Sequence, residues 1–445
     1  MTAVQLFQFF LSISILVVLH ELGHFIPAKY FKTRVEKFYL FFDPWFSVVK
    51  KKIGGTEYGI GWLPLGGYVK IAGMVDESMD TEQLSKPAQP WEFRSKPAWQ
   101  RLIIMLGGVT VNFFLAWIIY SSLSFFNGEQ YHDNSKFENG IAVTAEGHKI
   151  GLRSGDKILK IDGKETPRFE TSLINMLFAD EVTVLRDGKE VTFPVNEHGV
   201  AEVLKANEAR AYFSQRFPAV VDSILPKSSA QAAGLKKGDQ IVGVEGKPIR
   251  FFDELSLALD SSKNKDITLQ VQRGDSLITT PAKVSTDGKL GFAPDVSKMV
   301  QELEKTQVRR KYGFLEAIPR GLERTIDVLV MQIKQFKIVF NSTTQGYKKV
   351  SGPIGIIKQM PEEINWEFFW GFTAMFSVWL AFLNLIPIPG LDGGHVMFTL
   401  YEMIVGKPVP QKVLENAQMI GVIFLLGLMV LIFGNDIFKW ITGRF

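Results

Sequence analysis

The sequence contains no cysteine. That excludes thiolate metal sites, thiol nucleophiles and disulfides, leaving any metal to histidine and carboxylate ligands, and it suits an oxidising compartment. Histidine is scarce as well, with six in 445 residues: His20, His24, His132, His148, His198 and His395. A strong excess of either charge is missing. The net charge of +4 is dispersed along the chain, too weak to argue for nucleic acid, and none is expected as a partner. No basic stretch precedes the first apolar run and no small-x-small site follows it promptly, so that run reads as a retained helix rather than a cleaved signal.

The apolar fraction of 46% is that of an ordinary soluble protein, but its distribution is not. Between about Gly128 and Gln307 the pattern is that of a soluble domain, whereas four apolar runs crowd the two ends. They cover about Val4–Ala28, Ala98–Phe126, Phe368–Pro387 and Met419–Phe438, each long enough to cross about 30 Å of hydrocarbon as a helix. Arg101, near the start of the second, is expected to snorkel to the interface. Between the first two runs lie Lys29, Lys32, Arg34, Lys37, Lys50, Lys51, Lys52, Arg94 and Lys96. By the positive-inside rule that loop is cytoplasmic, and the N-terminus and the long central region lie outside. Lys439 and Arg444 pull mildly against this orientation at the C-terminus.

The central region repeats itself. Gly151-Leu-Arg-Ser-Gly-Asp-Lys-Ile recurs 83 residues later as Gly234-Leu-Lys-Lys-Gly-Asp-Gln-Ile, each copy a glycine turn leading into an alternating strand. The pattern resembles PDZ domains. Further on, Phe314, Ile318, Leu322, Ile326, Leu329, Ile333, Phe336 and Phe340 recur at helical spacing opposite Arg320, Arg324, Lys334 and Lys337. This is a basic amphipathic helix, suited to lying on a membrane surface.

The chemistry sits in the first run. His20-Glu21-Leu22-Gly23-His24 matches H-E-x-x-H, which on a helix puts both imidazoles on one face. Glu21 beside them can serve as general base toward a water that the metal has made acidic. Ionisable groups inside an apolar span are functional by default. A catalytic zinc needs a third protein ligand, and the best source is Asn384-Leu-Ile-Pro-Ile-Pro-Gly-Leu-Asp-Gly-Gly-His395, just past the third run. There Pro387 and Pro389 end the helix, Gly393 and Gly394 permit a tight turn, and Asp392 is presented at a helix end; His395 is its rival. Runs one and three cross in the same direction, so these ligands can meet on the cytoplasmic side. Between the first two runs, Thr56–Ala72 is aromatic, β-branched and glycine-punctuated, as expected of a strand pair dipping into the interface. Its exposed edge could take up an unwound substrate as an added strand.

HELGHF in the first run, NLIPIPGLDGGH after the third, and the two PDZ-like repeats between the second and third make the chain similar to the site-2 protease family of intramembrane zinc metalloproteases. The resemblance implies a multi-pass α-helical membrane protein with four transmembrane helices, an inserted tandem pair of α+β PDZ-like domains and a membrane-associated β-hairpin. Residues 1–126 would hold the first two spans and the hairpin (about 50–75), 127–215 and 216–309 the PDZ-like domains, 310–365 the amphipathic helix and linker, and 366–445 the last two spans. It makes His20, His24 and Asp392 the ligands of Zn2+ and Glu21 the catalytic base. Asn384 would bind substrate, as would Gly61, Trp62, Gly66 and Gly67 of the hairpin. Substrates would be single-span membrane proteins such as a pre-trimmed anti-sigma factor, and leftover signal peptides, in a bacterial inner membrane with the PDZ-like pair in the periplasm. Peptides or proteins would be the ligands of that pair. The same features also fit a PDZ-based membrane scaffold with a structural zinc site, which leaves Glu21 without a role.

Overall fold

A computed structural model describes residues 1–74, 87–206, 212–350 and 352–442, so that Arg444 lies outside the described residues. The chain divides into two units: Met1–Gly128, Lys311–Ile333 and Val350–Phe445 form one, and Glu129–Arg310 with Lys334–Lys349 the other.

Among the described residues of the first unit, four helices have the length and apolarity to cross a membrane: α1 (Ala3–Tyr30), α2 (Ala98–Phe126), a third span (Trp366–Leu385) and a fourth (Gln411–Ile441). A capping box between Thr2 and Gln5 opens α1, and the Asn365 side chain caps the third span by accepting from the Phe368 N–H. The fourth span starts earlier than the apolar run implied, because Pro410 opens it and Gln418, a polar flank by sequence, is buried. Burial of apolar surface cannot hold helices together in lipid, so close approach and polar contacts do. Here a Cβ on Gly107 would lie 1.9 Å from the Gly23 carbonyl oxygen, so α1 and α2 cross backbone to backbone. Ser12 and Thr373 hydroxyls meet at 2.9 Å, and Ser377 donates to the Asn112 carbonyl at 2.7 Å. Arg101 is ion-paired with Glu402.

The hairpin is larger than the sequence indicated. Thr56–Ile71 is a single strand, β2, whose partner is β1, Val35–Ile53, read from sequence only as a basic loop. Residues 37–40 pair on one side with 57–60 and on the other with 67–70, while 47–53 pair with 56–61. The ribbon therefore folds back on itself, and 67–71 forms one of its edges. A Cβ on Gly67 would lie 2.6 Å from Val17 Cγ1, which places that edge against α1.

The amphipathic helix runs Phe314–Phe340 as its periodicity predicts, but the buried face is not the apolar stripe. Ala317, Gly321, Thr325 and Gln332 are buried, whereas Phe314, Ile318, Ile326 and Ile333 are exposed. Small residues let the helix approach α2: Trp117 Nε1 donates to the Ile318 carbonyl at 2.8 Å, and the Arg324 guanidinium lies 4.6 Å from the Tyr120 ring centre. The division of the chain also cuts this segment. Its start joins the membrane unit, while Lys334 and Lys337 pair with Asp162 and Asp180 of the other unit, and Ile338 packs on that unit's core.

The second unit holds two cores, one spanning Phe137–Phe213 and one Ala219–Leu290, each under a four-stranded antiparallel sheet. The sequence repeat is a structural one. In the first copy Asp156 accepts from the Arg153 N–H and from Arg186, which also donates to the Gly151 carbonyl at 2.9 Å. In the second, Asp239 accepts from the Lys236 N–H and from Arg273, which donates to the Gly234 carbonyl at 2.8 Å. The Gly-Asp of each motif thus closes its turn by a buried carboxylate and a two-pronged arginine.

Candidate metal centre

One face of α1 carries His20 and His24, both buried, with ring centres 4.9 Å apart. They lie across α2, and Gly108 makes room for them. A Cβ there would sit 2.3 Å from His24 Nε2 and 2.6 Å from His20 Cε1. Neither Gly108 nor its neighbour Gly107 was singled out by sequence reasoning; the signal was a glycine pair in an apolar span.

The third group arrives from the C-terminal half. The third span ends at Leu385, and after a turn through Gly390 (φ +100°) a new helix begins at Asp392. Asp392 is thus the first residue of the following helix, not the tail of the span, and its carboxylate is favoured at that helix N-terminus. Gly393 and Gly394 are helical and serve close approach rather than a turn: a Cβ on Gly393 would lie 2.2 Å from the Ile386 oxygen. The fourth span fixes this loop, since Gln418 Oε1 accepts from the Gly390 N–H at 3.1 Å and Gly421 packs on the Pro389 carbonyl.

Asp392 Oδ2 lies 3.3 Å from His20 Nε2 and 3.2 Å from His24 Nε2, and the two Nε2 atoms are 3.3 Å apart. Among the described residues, His20, His24 and Asp392 form the one group of His, Asp and Glu whose ligand atoms all lie within 4.8 Å of one another, and His395 is outside it. Asp392 Oδ2 is buried without a hydrogen-bond donor. His24 Nδ1 lies 2.8 Å from the Ile104 carbonyl oxygen, so Nδ1–H donates there and Nε2 keeps its lone pair. Ring nitrogens and a buried orphan carboxylate oxygen converging on one point fit a cation, and two imidazoles plus a carboxylate are a donor set that suits zinc.

Glu21 is half-buried beside the pair, within electrostatic reach of the Val69 backbone N–H at the edge of β2. Asn384, in the last turn of the third span, places Nδ2 3.1 Å from His20 Nε2. Of the hairpin residues, Gly67 reaches α1 and Gly66 sits against the Phe42 ring. Gly61 and Trp62 make their contacts within the hairpin, Gly61 on the Phe42 backbone and Trp62 stacked on Trp45 and Phe46.

The family model of peptidase family M50 matches residues 8–428. Regulator of sigma-E protease RseP of Escherichia coli is 29% identical over 454 residues, covering 97% of this chain and 98% of its own. Regulator of sigma E protease of Haemophilus influenzae is 28% identical over 459 residues, with 97% and 98% covered. Peptidases of this family depend on zinc. With the match running nearly end to end over four membrane-length helices, the chain belongs to peptidase family M50, the site-2 proteases, and is a membrane-embedded zinc metalloendopeptidase.

Proposed function

We propose that this protease cuts the transmembrane segments of single-span proteins, with His20, His24 and Asp392 as zinc ligands and Glu21 as general base. The observation that carries the reading is the convergence of three ligand atoms inside apolar helices, with Asp392 Oδ2 left without a donor. Zinc held there supplies Lewis acidity for the attacking water and the scissile carbonyl. Glu21 takes the water's proton and passes it toward the leaving amine. Asn384 offers both a donor and an acceptor to a peptide unit beside His20. The edge formed by 67–71, lying along α1, pairs with the substrate once it is unwound, so that its freed backbone groups are not left unpaired in a dry site. Trp45 and Phe46, exposed at the hairpin tip, seat that sheet in the membrane.

The two repeated domains are PDZ-like and lie in the periplasm of a bacterial inner membrane, with the metal toward the cytoplasmic side, as the basic loop between α1 and α2 favours. There they screen substrates by the size or the newly exposed end of their outer part. The printed name of the Escherichia coli relative, a regulator of sigma-E protease, supports an anti-sigma factor as one substrate. The test is a purified-protein assay with a transmembrane reporter. Glu21→Gln keeps zinc and loses cleavage, while His20→Ala and His24→Ala lose both; retained cleavage in Glu21→Gln defeats the mechanism.

A further inference from the structure

Both imidazoles lean on α2, but on different groups. His24 uses a backbone carbonyl, whose role as acceptor is fixed. His20 Nδ1 instead faces the side chain of Asn112, with Nδ2 at 3.1 Å. Asn112 is fully buried within an apolar span, and its backbone carbonyl is held by Ser377 of the third span. An amide placed in such surroundings is costly unless it is used.

The direction of that contact decides what His20 can do. If the amide donated, Nδ1 would have to be the unprotonated nitrogen, and the ring proton would sit on Nε2. Nε2 would then point an N–H at Asn384 Nδ2, 3.1 Å away, and could bind no metal. Turning the amide by 180° keeps its shape and reverses its chemistry. Oδ1 then accepts from His20 Nδ1–H, the ring is held in the tautomer that His24 has, and Nε2 presents its lone pair beside Asp392 Oδ2.

We propose that Asn112 is a positioning residue for the zinc centre, its side-chain oxygen accepting from His20 Nδ1–H so that Nε2 faces the metal. The inference rests on His20 being a ligand, as assigned above. It differs from a packing role in one respect: an acceptor is needed, not an amide.

The experiment measures zinc affinity of the full-length protein in detergent by competition with a chromophoric chelator, with no cleavage involved. Asn112→Leu keeps the size but removes the acceptor, and its affinity falls roughly 10–100-fold, as expected when a ligand's outer partner is lost. Asn112→Asp keeps an acceptor and stays close to wild type. The 15N spectrum of histidine-labelled, zinc-loaded wild type shows His20 protonated at Nδ1. Wild-type affinity in Asn112→Leu overturns the proposal, as does an Asn112→Asp variant that falls as far as Asn112→Leu. If Asn112→Leu fails to fold, the 15N spectrum decides alone, and a proton on Nε2 overturns it. His20→Ala separates the two levels. Retention of zinc there sinks the ligand assignment and this inference together, whereas loss there with no change in Asn112→Leu sinks only the inference.

Discussion

Gly108→Ala tests how closely the centre depends on the crossing of α1 and α2. The added Cβ would lie 2.3 Å from His24 Nε2, 2.6 Å from His20 Cε1 and 2.8 Å from His20 Nδ1. Ordinary contact needs ~3.5 Å, so one or both rings must withdraw by about 1 Å. Zinc ligands tolerate only about 0.2 Å from ideal distances, so the rings cannot make that shift and still bind. Zinc affinity should fall at least as far as with loss of an outer partner, roughly 10–100-fold, or about 1.4–2.7 kcal/mol. The helix crossing itself is governed by the neighbouring Gly107, whose Cβ would meet the Gly23 carbonyl at 1.9 Å. Gly107→Ala should therefore lower the melting temperature of the metal-free protein, while Gly108→Ala leaves it nearly unchanged and loses metal. The measurements are chelator competition and thermal melting in detergent with and without chelator. Wild-type zinc affinity in Gly108→Ala would show that the imidazoles do not sit over α2 as described.

Asp392→Ala should lose zinc and His395→Ala keep it, read by metal analysis of the purified proteins; the opposite pattern moves the third ligand. Asn384→Leu should cut turnover of a transmembrane substrate at least tenfold at unchanged zinc content, and proline within 67–70 should do the same by removing a ladder donor. Helix-breaking residues in the substrate should partly rescue the proline variants, and wild-type rates in all of them would mean that substrate is held another way. Burial alone would raise the Asp239 pKa, but the Arg273 bonds and the Lys236 N–H hold it below the usual carboxylate value. The lowered folded-state value means stability present above the unfolded-state pKa of about 3.9 and lost as pH falls through the folded one. Protection of the 219–295 amides against hydrogen exchange, relative to the intrinsic rate at each pH, should therefore fall below about pH 4, and Asp239→Asn should flatten that dependence. Replacing residues 128–307 with a short linker should permit cutting of substrates that keep bulky outer parts; a folded, zinc-loaded variant that still rejects them refutes the filter.

The four spans were legible because a continuous apolar run needs no partner to be recognised, and H-E-x-x-H because its spacing alone puts two imidazoles on one helix face. What α2 adds was not. Gly107, Gly108 and Asn112 act through what lies across from them, and sequence carries no record of that. The strand Val35–Ile53 was hidden by its lysines, which read as a cytoplasmic loop, and its arm from Trp45 to Ile53 is largely exposed on both faces, so no alternation marks it. For the helix Phe314–Phe340 the period was legible, but not which residues pack on α2. In water an apolar stripe seeks the core, but against another membrane helix the small residues pack and the large ones remain outside. Pro387 and Pro389 mark the end of the third span as their chemistry dictates, but the same turn also opens the helix that begins at Asp392, which a proline alone does not announce.

The fourth span shows what a reading centred on catalytic motifs omits. Few of its residues are buried, and among the described residues none belongs to the proposed metal centre, yet two of its polar residues are spent on fixed contacts. Near one end Gln418 holds the Gly390 N–H and Gly421 admits the Pro389 carbonyl, two and three residues before Asp392. Near the other, the fully buried Asp436 accepts from the N–H groups of Gly352, Ile354 and Gly355. The short helix that these residues open, Pro353–Gln359, leads to Met360 and Pro361, whose carbonyls accept from Gln5 and Gln8 of α1. The fourth span is thus tied to the aspartate side of the centre at one end and, through that segment, to the histidine helix at the other. Each of these side chains would be costly in lipid without its partner. The fourth span therefore braces α1 and the loop before Asp392, the two segments that carry the three groups of the proposed metal centre.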